Sequence, residues 1–290
     1  MQIVSPVTHS NNVELIIEIP SAQIIQQYET EYKIDVKRFF VNIKNVSIYK
    51  CLDSGYRFYY PENIIGDGRL YEDLQKVSDV YYMKWKWEFE IAQKFVKAND
   101  ALLDIGCGSG NFLISQKNKT SNLFGLEFND LAIKKCKDNG LNIFKEYIEE
   151  HAKSNSEKYD VVTSFQVLEH VFDIKSFIEN NLKVLKTGGK LVIGVPHSNP
   201  YLYKKDMMHT LNLPPHHMGL WDEKAFQSLP QFFKMKLEGI YIEPLLELEY
   251  WLMLNYNIKI KLPALLQYAY VKTIARFFKG RNIVAVYTKK

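Results

Sequence analysis

The residues whose types and spacing could do chemistry fall into four groups. Asp104 stands two residues before Gly106, Gly108 and Gly110 in "ALLDIGCGSGNFLI", residues 101–114. Glu127 closes the run "NLFGLEF", and "FQVLEHV" carries Phe165, Gln166, Glu169 and His170. His216 and His217 follow two prolines in "NLPPHHMGLW". A glycine has no Cβ, so such a turn lets backbone approach a ligand closely. Glycine turns also occur in dinucleotide enzymes, so the turn alone decides little. A carboxylate at Asp104 would repel a phosphate and would suit a ligand bearing an ammonium group. Glu127, at a strand end, can accept ribose hydroxyls. Imidazole titrates near neutrality, which suits His217 or His216 to removing a hydroxyl proton, with His170 a third candidate. His197 and His209 are weaker candidates on the same long loop.

These groups need a scaffold, and the pattern from residue 101 onward supplies one. Strands are expected at "ALLDIG", "NLFGLEF", "LNIFKE", "YDVVTSFQ" and "KLVIGVP". They alternate with helices starting near Asn111, over "NDLAIKKCKDNG" with a glycine C-cap, and over "IKSFIENNLKVLKTGG", again stopped by glycine. That order predicts an α/β fold, an open parallel sheet with helices on both faces. "FKMKLEGIYIEP" and "RNIVAVYTKK" add two last strands, with an aromatic, largely helical insertion at 245–280 between them. Before the sheet, residues 70–98 read as helix, with Tyr81, Tyr82, Trp85, Trp87 and Phe89 at helical spacing. Residues 13–60 read as short strands. The expected domains are a small β-rich module over 1–68 and a main domain over 69–290.

Composition sets the outer bounds. Of 290 residues, 47% are hydrophobic and 24% charged, which fits a globular chain with a substantial core. A net charge of +4 without a dense Lys/Arg run gives no footing for nucleic acid. The first residues, "MQIVSPVTHSNN", lack a signal-peptide layout, and no apolar run nears the ~18 residues of a membrane span. Cys51, Cys107 and Cys136 are widely spaced and odd in number, which points to reduced thiols in a cytoplasmic protein.

Taken in order, "LLDIGCGSG", "GLEF", "YDVVTSFQVLEHV", "VLKTGGKLVIGVP" and "IVAVYTKK" resemble the class I S-adenosylmethionine-dependent methyltransferases, from about residue 80 to 290. The resemblance implies a Rossmann-like seven-stranded sheet whose last strand is antiparallel. It implies S-adenosyl-L-methionine as cofactor and S-adenosyl-L-homocysteine as product. Gly106, Gly108 and Gly110 would line its methionine part and ribose, Asp104 would position the amino group, and Glu127 the ribose hydroxyls. Phe128 would lie against the adenine, Glu146 and Tyr147 near its edge, and Phe165 and Gln166 beside the methionine part. From the aromatic spacing itself, Tyr82 is open between facing the sulfonium or its carboxylate and packing in the core, and Cys107 is read as a small filler.

Two metal questions follow from the same resemblance. "YKCLDSGYRFYYP" is similar to half of a zinc ribbon found before some sugar-modifying methyltransferases. Ser54 stands where a second cysteine would be and no upstream pair exists, so a metal-free remnant is expected. Some quinone O-methyltransferases bind a divalent ion through a Glu…Glu-His set at "QVLEH". Gln166 replaces the first carboxylate, so no metal is expected there either. The expected reaction is methyl transfer to a small-molecule or sugar acceptor, at a hydroxyl. Nitrogen, carbon, quinone or lipid acceptors, or a non-catalytic cofactor-binding scaffold, are the alternatives. A dinucleotide oxidoreductase is disfavoured by Asp104 and the closing strand. The 245–280 insertion leaves a lid, peripheral membrane contact or homo-oligomer formation open.

Overall fold

A computed structural model describes residues 2–77, 85–198 and 208–290. The chain opens with β1 (Val13–Pro20), α1 (Ser21–Tyr32), β2 (Asn45–Cys51), β3 (Arg57–Tyr60) and α2 (Gly68–Val77). It continues through α3 (Trp87–Ala92), β4 (Leu102–Ile105), α4 (Asn111–Ser115), β5 (Leu123–Leu126), α5 (Asp130–Asp138) and β6 (Asn142–Phe144). Next come α6 (Ile148–Ser154), β7 (Tyr159–Phe165), α7 (Ile174–Val184), β8 (Leu185–Pro196), β9 (Gly219–Leu220) and α8 (Glu223–Ser228). The chain closes with β10 (Met235–Pro244), α9 (Leu248–Tyr256), α10 (Ala264–Thr273) and β11 (Lys279–Lys289).

Seven strands form one sheet in the order β10-β11-β8-β7-β4-β5-β6. β4 pairs in parallel with both β5 and β7, while β11 is antiparallel to β8 and β10. The strand order therefore reverses at β4, and the carboxyl ends of β4 and β7 flank the crevice where such sheets bind ligands. Alternation along the strands divides the core between two faces. Leu103, Ile105, Val162, Ile283 and Ala285 pack with α6, α7 and α8, whereas Leu102, Val161, Phe165 and Val284 pack with α3, α4 and α5. This is the period-2 pattern of a sheet covered on both sides.

The second sheet, β1-β2-β3-β9, is antiparallel, and its last strand comes from far along the chain. Phe58 pairs with Gly219 and Arg57 with Leu220. Val7, Tyr56 and Phe58 belong to the same apolar cluster as Leu103, Trp221 and Phe226. The module expected over 1–68 thus shares both a sheet and a core with the main domain.

The structure departs from the sequence reading in three places. Residues 21–32, read with the strands, form α1, because Ile24 and Tyr28 lie four apart on one buried face. The single helix expected over 70–98 is two, α2 and α3, with Trp85 and Lys86 outside both; residues 78–84 lie outside the described residues. Finally, α7 does not stop at its glycines. Leu185, fully buried, already pairs with Tyr159, so sheet pairing captures the chain before Gly188. The glycine C-cap of α5 is as expected, with Gly140 at φ +69°. The 245–280 insertion holds α9 and α10.

Phe58 tests the shared core. Truncating a fully buried Phe costs about 3–5 kcal/mol. Phe58→Ala should lower one common unfolding transition in thermal melts followed by circular dichroism, rather than release a separate early one.

Candidate active site

The glycine turn leaves β4 with Gly106, Gly108 and Gly110 all at positive φ, +66°, +53° and +74°. At Gly106 a Cβ would lie 2.5 Å from Val167 Cγ2, so that position admits neither a side chain nor its backbone angle. Gly110 is the N-cap of α4, where a Cβ would strike Leu141 and Cys136. Gly106 and Gly108 line the cavity described below, but Gly110 does not, which corrects its expected ligand contact to a packing role. Glu127 binds the turn directly. Its Oε2 accepts from Gly108 N at 2.8 Å, and its Oε1 accepts from the N–H groups of Phe128 and Asn129. A carboxylate offers about four acceptor positions, so among the described residues Glu127 has room for one further donor rather than two.

Asp104 is buried at the end of β4 and accepts a 2.7 Å hydrogen bond from Thr163 Oγ1. Burial raises its pKa to about 7, against the opposing pull of Thr163 and Lys86. Cys107 is buried as well and its thiol is pushed up, which suits a filler and not a nucleophile. All three cysteines are free.

Phe128 lines the cavity and its ring meets Tyr147 at 4.3 Å between centroids. Tyr147 itself is exposed and off the cavity wall. Glu146 is turned away, bound to the buried His151 at 2.6 Å, which in turn contacts Tyr159 Oη at 2.7 Å. The expected placement of Glu146 at an adenine edge is therefore corrected: it is a half-exposed partner of the buried His151 and is not on the cavity wall. Phe165 packs between Phe89 and Phe112 and reaches the cavity. Gln166, at φ +58°, donates to Glu88 and to Asn282. Tyr82 lies outside the described residues.

His170, His216 and His217 come together although 46 residues separate the first from the second. Two hydrogen bonds staple the loop: Met218 N donates to Glu169 O at 2.8 Å, and His170 Nδ1 donates to His216 O at 2.5 Å. His216 Nδ1 donates to Leu211 O at 2.9 Å. The amino-terminal region also holds the loop, through Tyr28 Oη of α1 to Leu213 O and Tyr59 Oη of β3 to Asn212 O, both 3.0 Å. Burial depresses the pKa of His170 to about 3 and of His216 to about 4, and that of His217 well below its usual value. The expectation that these imidazoles titrate near neutrality is thus corrected: the apolar surroundings keep them neutral. His197 also lines the cavity but bonds Glu223 at 2.9 Å, and His209 caps a short turn through Leu211 N.

One cavity of about 910 Å³ joins the glycine turn to the histidines. A methyltransferase-domain family profile matches residues 85–234, half of the chain. The chain belongs to the methyltransferase family. Ubiquinone biosynthesis O-methyltransferases of Salmonella enteritidis PT4 and Salmonella newport are each 32% identical over 104 residues, which are 34% of this chain. The matched part is 43% of those relatives, less than half their length. A SAM-dependent methyltransferase structure from Archaeoglobus fulgidus superposes with a TM-score of 0.52 at 20% identity, over 77% of this chain and all of that one. A putative S-adenosylmethionine-dependent methyltransferase from Listeria monocytogenes gives 0.50 at 14% identity, over 70% and 98%. These two show the shared fold.

Several groups in this methyltransferase's cavity escaped sequence reading. Glu88 is almost fully buried and accepts from Gln166. Glu243 accepts from Asn282 and burial raises its pKa to about 7. Arg281 lies over the Tyr250 ring at 3.9 Å and pairs with Glu247 at 2.9 Å. Only the family's sheet edge pointed to β10 and β11, and nothing local marked these side chains.

Asp104 yields a pH prediction. Its carboxyl is neutral when folded up to about pH 7, but ionised when unfolded from about pH 4. Its contribution is therefore complete at acid pH and is lost as pH rises to about 7, at up to ~1.4 kcal/mol per pH unit. Denaturant unfolding of wild type and Asp104→Asn should show wild type losing more stability between pH 5 and pH 8.

Proposed function

We propose that the protein transfers a methyl group from S-adenosyl-L-methionine to a hydroxyl of a small molecule or sugar. The observation that carries this reading is the single cavity. One end has a backbone cradle beside two carboxylates, and the other has three imidazoles, two of them buried and His170 half-buried.

The cradle suits the cofactor. Asp104 is a buried carboxyl waiting for a cation, and an ammonium beside it would lower its raised pKa and draw off its proton. The spare acceptor position on Glu127 matches a ribose hydroxyl, and Phe128 offers an exposed ring face to a base. Phe165 and Gln166 form the wall at the end of β7, on the side toward Glu88. When bound, the cofactor supplies a methyl on a sulfonium, a group needing no further activation. What remains for the chain is to hold the acceptor in near-attack geometry, worth up to about 7–11 kcal/mol, and to take its proton.

For that proton, His170 and His216 hold their Nδ1 hydrogens toward backbone carbonyls, so Nε2 is the acceptor atom of each ring. His217 stacks on His216 at 4.5 Å and completes the set. A phenolic or quinol hydroxyl is the second reading. It is supported by the names of the Salmonella relatives and by the lower pKa of such hydroxyls, which asks less of a weak base.

Methyl transfer from labelled cofactor to panels of quinols, catechols and sugars identifies the acceptor. His217→Ala and His216→Ala should each lower turnover by about 10²- to 10⁴-fold while leaving S-adenosylhomocysteine affinity unchanged. Full turnover in both variants removes the histidines from the reaction.

A further inference from the structure

We propose that His170, His216 and His217 form a binding site for a divalent transition-metal ion, with the Glu169 carboxylate beside it as charge partner. The ligand atoms of the three rings all lie within 4.8 Å of one another. Metal–imidazole bonds of about 2.0–2.1 Å at tetrahedral angles set nitrogens about 3.4 Å apart. Small ring rotations therefore close the cluster around an ion.

The hydrogen bonding prepares the rings for this task. A metal-binding histidine presents one nitrogen to the ion and fixes its other N–H on a carbonyl or carboxylate. His170 Nδ1 is fixed on His216 O, and His216 Nδ1 on Leu211 O. Both Nε2 lone pairs are thereby set in advance. The three rings sit face to edge or stacked, with centroids 4.5 to 5.0 Å apart.

Glu169 is the independent observation. It is 1% exposed, and neither carboxylate oxygen has a hydrogen-bond partner among the described residues. Its Oε1 stands 3.7 Å from His170 Nε2. A buried carboxyl without partners is costly, and a cation beside it removes that cost. Three imidazoles select zinc, iron, cobalt or nickel over magnesium or calcium, which prefer oxygen ligands. The Gln166 amide nitrogen donates elsewhere, to Glu88 and Asn282.

The inference deepens the proposed reaction and rests on it only for its consequence. With an ion on the three rings their nitrogens no longer act as bases, and an acceptor hydroxyl bound to the ion would instead release its proton to water near neutral pH. The site itself is measurable without donor or acceptor.

The full chain, stripped with a chelator and dialysed, is titrated with zinc chloride against a chromophoric competitor, and with cobalt(II) chloride followed by visible absorption. One equivalent should bind, with cobalt bands of nitrogen ligation. His170→Gln, His216→Gln and His217→Gln should each weaken zinc at least 100-fold, and Glu169→Gln by about 10- to 100-fold. His9→Gln, a surface control, should change nothing. Circular dichroism and S-adenosylhomocysteine binding confirm that each variant is folded. Absence of stoichiometric binding by the folded wild type, or undiminished binding in the folded histidine variants, overturns the site. Methyl transfer that persists in such metal-free protein leaves the proposed function standing without it.

Discussion

One carboxylate holds the cofactor end of the molecule together. Glu127 accepts three backbone N–H groups, one from the glycine turn and two from its own strand end. Leu126 O accepts two more from Gly106 and Cys107. The turn between β4 and α4 is thus tied to the neighbouring strand at three points. That network keeps three glycines at positive φ, a conformation the free chain would rarely hold. With the turn fixed, Val167 can pack directly on Gly106, and the segment bearing Glu169 and His170 is set beside the cradle.

The opposite end of the cavity has a different support. The loop with His216 and His217 is long, and its residues 208–218 have no strand of their own. It is gripped by Tyr28 and Tyr59, by the β3–β9 pairing, and by the two bonds to Glu169 and His170. The amino-terminal sheet is therefore structural support for the histidine end of the cavity and not an appendage. A 3.6 Å contact between Thr8 Oγ1 and Cys51 Sγ, together with the bonds of Asp53 to Ser10 and Asn12, orders the turn after Cys51.

Much of this was legible in sequence. Alternating strands and helices after residue 101 pointed to the sheet, because each strand's apolar run and the glycine after α5 are local signals. The placing of Asp104, the glycine turn and Glu127 at strand ends was legible for the same reason. Glu146 was misplaced because three acids follow β6 and only the fold shows which one meets His151. The imidazole pKa values were also beyond reach, since burial by α2 and the small sheet is a long-range effect. So was the joining of His170 to His216 and His217, which depends on a contact between segments far apart in the chain. Glu243 and Arg281 are brought to the cavity by β10 and β11, whose sequences carry no motif for it.

The central claim is that the cleft beside β4 takes a sulfonium nucleoside, with Glu127 shaping it and bonding its sugar. Isothermal calorimetry of the purified chain with S-adenosylhomocysteine, and separately with NAD, tests this most directly. The account predicts saturable one-to-one binding of S-adenosylhomocysteine, lost in Glu127→Ala, and no heat with NAD. Binding of NAD alone, or S-adenosylhomocysteine binding indifferent to Glu127, would contradict it.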